Sequence, residues 1–339
     1  MKTKIKLSLF LLLVLLIVLG GCSSNKSSGS SSTASSSKKI VLGFNPWPGY
    51  FPWYIAQEKG FFKKYGLNVQ LKQFSDLSGM LNALSGGQLD AAGVTINDMI
   101  VPLSKGADLK AVGVYDISNG GDAFVVNKNI KTFNDLKGKN VATELGTVDH
   151  LLMLEGMKKA GLKASDIHFS NMSISDAGNA LISGKLEGAS LYEPYISKAI
   201  SSGKAKVLFS SADMPGLITD VIAVKGKLAK SNPKDTENLL RAWYDALAYW
   251  HQHPNESMKI MAKAANTPVN EYKNVYKTIK IYNLNESIQA FKRANSYSSL
   301  YFTGTETSKF LRSQKIIDQY PDLSKALDNQ FLKKLQSKK

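Results

Sequence analysis

Aromatic and polar side chains follow several predicted strands of this 339-residue chain. In open α/β sheets, ligands bind just outside the carboxyl ends of the strands. "KIVLGF" runs into "NPWPGY", "LDAAGV" runs into "TIND", and "LEGASL" runs into "YEPY". The candidate ligand-binding residues in these three loops are Trp47, Tyr50, Asn97, Asp98, Tyr192 and Glu193. Such side chains can stack on a ring and form hydrogen bonds, which predicts a binding cleft.

A fourth loop follows "KNVATE" and begins a helix in "ELGTVDHLLMLEGMKKAGL". Gly146 allows close approach of the backbone to a ligand, and Thr147 can cap the helix. The N–H groups at a helix start attract an anion or a polar head group, so we predict ligand contact here. The alternative is that Thr147 or Asp149 only caps the helix. "DLSGMLNAL" makes a similar helix start around Ser78.

The sequence contains none of the motifs that indicate known catalytic sites. His150 stands alone in the first turn of that helix, and a lone histidine is more often structural. His251 and His253 are two positions apart, so a helix would point them away from each other. There is no Cys–His cluster, no G-x-S-x-G and no Gly-rich phosphate loop with a lysine. We therefore predict that the protein is not an enzyme and uses neither a metal nor a cofactor.

Alternating strands and helices must position these loops. Ten short β-rich runs alternate with helical patterns between residues 39 and 224, which predicts an α/β fold with parallel sheets. The remainder is mostly helical, beginning with "PKDTENLLRAWYDALAYWHQHP". A chain of this length is too long for a single core, so two lobes are expected.

An internal repeat supports two similarly built lobes. "NALSGGQLDAAGV" (residues 82–94) matches "NALISGKLEGASL" (residues 179–191) at a constant offset of 97 positions. Upstream, "KKYGL" resembles "KKAGL". Each lobe would contain strand, helix, strand, helix and strand. The loops after the two repeats would then project into a shared cleft.

The aromatic segment "FNPWPGYFPWY" (residues 44–54) is predicted to serve both the cleft and the core. Its prolines fix the backbone and remove donors, so it cannot be the middle of a sheet or helix. Trp47 and Tyr50 precede a helix and are the candidates for a cleft wall. Phe44, Trp53 and Tyr54 are expected to pack inward.

The N-terminal residues read as an export signal. "MKTKIK" is basic, and "LSLFLLLVLLIVLG" is apolar but too short for a spanning helix. The next residues, "LGGC", resemble the lipobox of bacterial lipoproteins, whose cysteine receives a lipid. We predict a signal peptide over residues 1–21, lipidation of Cys22 and a Ser-rich flexible tether over residues 22–39.

The chain is strongly basic, with 43 Lys and Arg against 27 Asp and Glu and a formal net charge of +16. Such a charge could indicate nucleic-acid binding. The lysines are spread along the chain rather than clustered with aromatics, which favours a solvated basic surface beside an anionic membrane. Cys22 is the only cysteine, so no disulfide can form within the chain.

Residues 47–71, "WPGYFPWYIAQEKGFFKKYGLNVQL", resemble the W-x-G-Y-x-P…A…GFF…GL-x-V opening of one family of ABC-transporter substrate-binding proteins. This is the sulfonate, taurine and nitrate class, with SsuA/TauA-like and NMT1/THI5-like members. The resemblance continues through "ALSGGQLDAAGVTIND", "DLKGKNVATELGTVDHLLMLEGMKKAGL", "SDAGNALISGKLEGASLYEP" and "DVIAV". It covers roughly residues 40–225, and its motifs are specific for the family but not for the ligand.

The resemblance implies a type II periplasmic-binding-protein fold, in which two α/β lobes joined by two crossings close on a ligand. Lobe 1 would contain residues 40–120 and 217–339, including the C-terminal helices, and lobe 2 residues 121–216. The crossings are expected near residues 115–126 and 210–224. By motif position, the pocket would include Trp47, Tyr50, Ser78, Asn97, Asp98, Gly146, Thr147, Tyr192 and Glu193, with Asp116 and Asp220 beside the crossings.

The ligand that the resemblance implies is an aliphatic sulfonate or a taurine-like solute, but the expected cleft is acidic. Its candidate acids are Asp98, Glu144, Asp149, Glu193 and Asp220, with no arginine nearby. These acids would oppose a simple anion. A zwitterion such as taurine, or an uncharged or cationic aromatic ring stacked on Trp47 and Tyr50, fits better. A pyrimidine precursor of thiamine is therefore the alternative ligand.

In this interpretation the protein is a monomeric lipoprotein on the outer face of the cytoplasmic membrane that delivers a solute to an ABC permease. Nucleic acid is not an expected partner. Two alternatives come from other classes of protein. An enzyme of pyrimidine synthesis would need the Cys-rich motif of those relatives, which this chain lacks. A surface adhesin would use the same fold without transport.

Overall fold

Eleven strands form two separate sheets in the part of the chain that the computed structural model describes, residues 39–337. The predicted signal peptide, Cys22 and nearly all of the tether lie outside these residues. The strands are β1 Lys39–Phe44, β2 Asn68–Gln73, β3 Ala91–Thr95, β4 Leu109–Ser118, β5 Asp122–Asn127, β6 Asn140–Thr143, β7 His168–Asn171, β8 Gly188–Tyr192, β9 Ala205–Ser210, β10 Thr219–Lys225 and β11 Ile279–Ile281. All ten predicted runs are strands, and the short β11 was not predicted.

The strand order is β11-β4-β10-β3-β1-β2 in the first sheet and β7-β6-β8-β5-β9 in the second. We call the first sheet and the helices packed on it the first lobe (residues 39–118 and 219–337). The second sheet with its helices is the second lobe (residues 122–210). The chain passes between the sheets at residues 119–121 and 211–218.

The prediction of parallel sheets is wrong for one of the predicted strands in each lobe, and the unpredicted β11 is also antiparallel to its neighbour β4. β1 pairs in parallel with β2 and β3, and β6 pairs in parallel with β7 and β8. β10 and β5 are antiparallel to both of their neighbours. These two strands are the ones that receive the chain directly after a crossing, without an intervening helix. Because each begins at the edge of its sheet where its neighbours end, it must run in the opposite direction.

The internal repeat occupies equivalent places in the two sheets. Its first copy ends in β3 and its second copy ends in β8, each beside the first strand of its lobe. Thr95 at the end of β3 pairs with Asp220, and Tyr192 at the end of β8 pairs with Asp122. Thr95 and Tyr192 are related by the same offset of 97 positions. Asp220 and Asp122 therefore occupy equivalent positions in the two sheets.

Fifteen α-helices surround the sheets in the described residues. They are α1 Pro52–Glu58, α2 Phe61–Lys64, α3 Leu77–Ser85, α4 Ile96–Ser104, α5 Val148–Lys159, α6 Ile174–Ile182, α7 Tyr195–Ser201, α8 Gly226–Ser231, α9 Pro233–Gln252, α10 Pro254–Ala264, α11 Val269–Val275, α12 Leu284–Ala290, α13 Leu300–Ser313, α14 Leu323–Ala326 and α15 Gln330–Gln336. Between residues 39 and 337, none of these helices is both long and apolar enough to cross a membrane.

The C-terminal helices pack mainly on the first lobe. α12, α14 and α15 lie against β4, and α9 packs against α1. Trp53 of α1 is fully buried there beside Trp243, and its indole N–H donates to the Tyr115 hydroxyl at 2.7 Å. Burial of a Trp pair contributes several kcal/mol through lost apolar surface, on the order of 2–3 kcal/mol per ring. This packing holds the aromatic segment before β2 in a fixed position.

Candidate functional site

A small cavity of about 30 Å³ lies between the two lobes, at the edge where most strands end. It is lined by Asn45, Trp47, Tyr50, Leu77, Thr95, Asp98, Asp122, Glu144, Thr147, Val148, Asp149, Ile174, Tyr192, Ile218 and Asp220. A space of this size holds about one or two water molecules. We call it the cleft cavity. A wider groove of about 520 Å³ opens beside it and shares the lining residues Leu77, Asp98, Glu144 and Thr147.

Trp47 and Tyr50 form the first-lobe wall of the cleft cavity. Trp47 directly precedes a short 3-10 helix, Pro48–Tyr50, and Tyr50 is its last residue. Proline at the first position favours this helix. The Trp47 indole N–H donates to both Asp116 oxygens, at 3.2 and 3.3 Å. The Tyr50 hydroxyl donates to Asp220. Because Asp116 and Asp220 are paired residues of β4 and β10, the wall is tied to the middle of the first sheet.

A glycine makes this arrangement possible. A Cβ atom on Gly49 would lie 2.0 Å from Asp116 Oδ2 and 2.6 Å from the Trp47 indole nitrogen. Any larger residue would therefore push apart the Trp47–Asp116 pair. The segment thus combines stiff prolines with one glycine at the point of closest approach.

Asp98 joins the cavity from the start of α4. It forms a capping box with Thr95, whose side chain accepts from the Asp98 N–H while Asp98 accepts from the Thr95 N–H. The Thr95 hydroxyl also donates to Asp98, at 2.7 Å. Burial raises the pKa of Asp98 to about 6, although its hydrogen bonds to Thr95 oppose the rise.

The second lobe contributes Asp122, the first residue of β5, and Asp149, in the first turn of α5. Both side chains are buried, with 3% and 1% exposure. Asp122 Oδ2 and Asp149 Oδ1 have no hydrogen-bond partner among the described residues. Burial raises the pKa of Asp122 to about 7 and raises the pKa of Asp149 well above its usual range. Neighbouring carboxylates add to both shifts.

The cleft cavity is therefore acidic without a matching cation. Five lining residues are Asp or Glu, and none of the described lining residues is Lys or Arg. Burial also raises the pKa of Asp116, Asp220 and Glu144. The lining therefore differs from the chain as a whole, in which Lys and Arg outnumber Asp and Glu.

Three contacts join the lobes around the cavity. The Tyr192 ring lies edge-on to Trp47, with ring centroids 6.3 Å apart. The Asn45 amide donates to the Tyr192 hydroxyl at 3.5 Å. At the mouth, the Ser78 hydroxyl donates to the Glu144 carboxylate. The residues that meet here belong to loops, to a helix start and, for Tyr192, to the end of a strand, so the lobes touch at the cavity through side chains.

Some predicted site residues lie in the cavity wall and others lie outside it. Trp47, Tyr50, Asp98, Glu144, Thr147, Tyr192 and Asp220 line the cavity. Ser78 and Gly146 line only the wider groove. Asp116 lies behind Trp47. Thr147 caps α5 by accepting from the His150 N–H, at 3.5 Å, and also meets the cavity.

Asn97 and Glu193 are engaged elsewhere. The Asn97 amide donates to Thr307 of α13, so Asn97 ties α4 to a C-terminal helix. Glu193 accepts from the Ser197 N–H at 3.1 Å and from its hydroxyl at 2.9 Å, at the start of α7. Both follow a strand end as predicted, but their side chains serve packing and capping in this conformation.

His150 has no role in the cleft cavity. Its Nδ1 accepts from the Gly146 N–H at 3.3 Å, and its ring packs against Phe169 and Phe310. Burial lowers its pKa to about 4, which leaves the ring neutral at physiological pH. Among residues 39–337, no group of three or more His, Cys, Asp or Glu is placed to hold a metal ion.

Sequence reasoning missed Asn45 and Asp122. Asp122 begins a strand, whereas most of the predicted site residues follow strand ends. The internal repeat could have indicated it. Asp220 near the start of β10 pairs with the end of the first repeat, and Asp122 at the start of β5 pairs with the end of the second. Asn45 directly follows β1 and was passed over in favour of its aromatic neighbours.

Comparison with known proteins places this architecture in a family. A family model described as NMT1/THI5 like matches residues 47–257, more than half of the chain. A putative aliphatic sulfonates-binding protein of Escherichia coli (strain K12) is 30% identical over 191 residues, covering 56% of this chain and 60% of that protein. The match thus spans less than two thirds of that relative. A protein of the same description from Bacillus subtilis (strain 168) is 25% identical over 289 residues, covering 84% of each chain.

Solved structures show the same fold. The periplasmic aliphatic sulphonate binding protein SsuA from Escherichia coli superposes with a TM-score of 0.69 at 22% identity, covering 84% of this chain and 96% of that chain. The desulfurization enzyme DSZB also superposes, with a TM-score of 0.66 at 15% identity, covering 88% and 99%. The predicted periplasmic-binding-protein fold is confirmed.

Proposed function

Because the chain belongs to the NMT1/THI5-like family of periplasmic sulfonate-, taurine- and nitrate-binding proteins of ABC importers, we propose that it captures one small organic solute and delivers it to a permease. The observation that carries the proposal is the cleft cavity, which both lobes line with polar and aromatic side chains. Binding, rather than chemistry, is what these side chains are suited to do.

Lobe closure is the proposed capture step. The cleft cavity holds about one or two waters in this conformation, so a larger solute must enter while the lobes are apart. The crossings at residues 119–121 and 211–218 are the natural hinges, since hinge motions are absorbed by a few residues between rigid elements. The contacts of Tyr192 with Trp47 and of Ser78 with Glu144 would then form only on closure.

The solute class proposed from the family is an aliphatic sulfonate or a taurine-like molecule. The acids of the cavity favour a solute that carries a basic nitrogen over a simple sulfonate. A pyrimidine precursor of thiamine, or a similar small heteroaromatic, is the second candidate, because Trp47 and Tyr192 offer ring surfaces at the cavity.

Enzyme activity and adhesion receive less support. The neutral, buried His150 lies outside the cleft cavity, and the relatives from Escherichia coli and Bacillus subtilis, at 30% and 25% identity, are named binding proteins. A relative from Haemophilus influenzae, at 26% identity, is named a putative thiamine biosynthesis protein. The fold is also used by a desulfurization enzyme, so fold alone does not decide. Deletion of the gene separates the classes: lost uptake of one solute supports transport, whereas lost attachment with normal uptake would support an adhesin.

We also propose that a lipid on Cys22 anchors the protein outside the cytoplasmic membrane, through a signal peptide over residues 1–21 and a Ser-rich tether. In this arrangement it meets its permease as a monomer. Cys22→Ala is expected to move the protein from the membrane fraction to the soluble fraction. Unchanged membrane association of this variant would contradict the anchor.

A thermal-shift screen of the full-length protein tests solute binding. A ligand at a hundredfold excess over its Kd adds about 2.7 kcal/mol of stability. Trp47→Ala should lower the affinity for any stabilising compound. If sulfonates, taurine, nitrate, amines and pyrimidines all leave the melting temperature unchanged, the proposed function is wrong.

A further inference from the structure

The proposed function leaves the charge of the solute open, and the cavity wall bears on it directly. We infer that the cleft binds a small organic cation, a protonated amine or a protonated nitrogen heterocycle, through the unpartnered oxygens of Asp122 and Asp149. The inference rests on the proposed function, because it names the solute class of the same cleft. It departs from the anionic solutes for which the relatives are named.

The two unpartnered oxygens are the first observation. Asp122 Oδ2 and Asp149 Oδ1 are buried in the wall of the cavity, and neither oxygen has a donor within hydrogen-bond geometry in the described part of the chain. The Ser118 and Ser190 side chains interact with these two carboxyl groups and offset only part of the rise in their pKa. A buried carboxylate oxygen without a partner is costly, so most such groups in native proteins are paired. A bound N–H donor in the cavity would satisfy both oxygens. No side chain of the described lining set is free to do so with a positive charge.

The remaining donors of the wall are the second observation. Six lining side chains could donate to an anion, and five of them already donate within the protein: Asn45 to Tyr192, Trp47 to Asp116, Tyr50 to Asp220, Thr95 to Asp98, and Thr147 to the Glu144 carbonyl. An anion would have to break these bonds or rely on the Tyr192 hydroxyl and backbone N–H groups. A cation needs acceptors, and acceptors are what the cavity leaves open.

The aromatic rings give the third observation. Trp47 and Tyr192 stand edge-on to each other at the cavity, one from each lobe. The face of such a ring attracts a cation within about 6 Å of its centroid. Because the rings meet across the cleft, closure would bring aromatic surface and the second-lobe carboxylates together around one positive group.

Binding of a cation should also release protons. The titratable groups that face the cavity or its wall are Asp98 of α4, Asp116 of β4, Asp122 of β5, Glu144 after β6, Asp149 of α5, Asp220 of β10, Glu193 after β8, and the hydroxyls of Tyr50, Tyr115 and Tyr192. Burial raises the pKa of every one of them, so part of the cluster is protonated near neutral pH. A cation favours the ionised carboxylates and would displace those protons.

The test compares probes of matched shape and opposite charge. Propylammonium and propane-1-sulfonate share a carbon chain, 4-aminopyridinium adds a cationic ring, and taurine carries both charges. Each is titrated into the full-length protein and into the Asp122→Asn, Asp149→Asn and Asp318→Asn variants. Asp318 is an exposed acid, so Asp318→Asn makes the same charge change away from the cleft.

The expected result is that the ammonium and pyridinium probes raise the melting temperature and the propane sulfonate does not. Asp122→Asn and Asp149→Asn should each weaken cation binding at least tenfold, while Asp318→Asn leaves it unchanged. Cooperative melting of each variant checks that it is folded.

Three outcomes would overturn the inference. If propane-1-sulfonate binds and the amines do not, the inference of a cationic solute is wrong, although the proposed function in solute binding still stands. Amine binding that survives both cleft substitutions places the cation elsewhere. If none of the four probes binds, the inference fails, and the proposed function fails with it only if the wider thermal-shift screen also finds no ligand.

Discussion

Asp220 and Asp122 occupy equivalent positions in the two lobes, but only one of them is satisfied. Each lies at the start of the antiparallel strand that follows a crossing, and each pairs with the last residue of the repeated strand, Thr95 or Tyr192. Asp220 accepts from the Tyr50 hydroxyl, whereas Asp122 Oδ2 has no partner in the described residues. The fold therefore repeats the acid without repeating the tyrosine that donates to it, and the Ser118 side chain leaves Asp122 Oδ2 unpaired.

The same contrast extends to the other cleft acids. In the first lobe, Asp116 accepts from Trp47 and Asp98 accepts from Thr95. In the second lobe, Asp149 resembles Asp122 in having one free oxygen. The first lobe is thus a preformed wall held by its own hydrogen bonds. The second lobe presents acceptors that the protein does not satisfy, which is the expected property of a surface that waits for a ligand.

The largest effect should come from relieving the unsatisfied acid. The pKa of Asp122 is raised from 3.8 to about 7, so ionisation of this carboxyl favours the unfolded state. The free energy of unfolding is therefore unaffected by Asp122 below about pH 4, and it falls as the pH rises toward 7. Asp122→Asn removes this loss. We expect the variant to be more stable than wild type at pH 8 by on the order of 4 kcal/mol, with almost no difference at pH 4.

Urea unfolding at both pH values, with Asp318→Asn as the matched control, measures this difference. Equal stability of wild type and Asp122→Asn at pH 8 would show that Asp122 is satisfied in solution and would remove the contrast between the lobes.

The next largest effect should come from removing a donor in the first lobe. Tyr50→Phe deletes the hydroxyl that donates to the buried Asp220. Leaving that carboxyl without its donor should lower the free energy of unfolding by about 2 kcal/mol. Tyr320→Phe makes the same change on an exposed ring and should have no measurable effect. A Tyr50→Phe variant as stable as wild type would mean that the first-lobe wall is not held by this bond.

The smallest effect concerns the contact that joins the lobes. Ser78→Ala removes the hydrogen bond from α3 to Glu144 without touching the wall of the cleft cavity. We expect about a fivefold loss of affinity for the solute through faster dissociation, equal to about 1 kcal/mol. Ser85→Ala, in the same helix, is the control. A slower dissociation of the Ser78→Ala complex would contradict a role in closure.

The sequence predicted the elements of the fold better than their directions. Short β-rich runs between helical patterns marked ten strands, because composition and turn residues are local properties. The antiparallel direction of β5 and β10 depends on where the crossings lie in space, which no local pattern encodes. Asp122 lies at the start of one of these strands, and no local motif marks it.

The sequence predicted the types of residue at the candidate site, but it did not predict which partner each side chain would bind. Asp98 and Glu193 both follow a repeat, yet Asp98 lines the cavity while Glu193 turns to Ser197. Asn97 turns to Thr307, 210 positions away in the chain. Such choices follow from long-range packing of helices against each other. The sequence could name acids near the cleft, but only the geometry distinguishes satisfied acids from free ones.

Calorimetric titration of the full-length protein with propylammonium tests the central claim most directly. Near pH 6.5, in two buffers of different ionisation enthalpy, the heats give the number of protons exchanged on binding. A cation held by second-lobe carboxylates should release protons, bind more tightly as the pH rises toward 8, and release fewer protons in Asp149→Asn. Binding that takes up protons and tightens as the pH falls would contradict the account, because that is the behaviour of an anion in this acidic cleft.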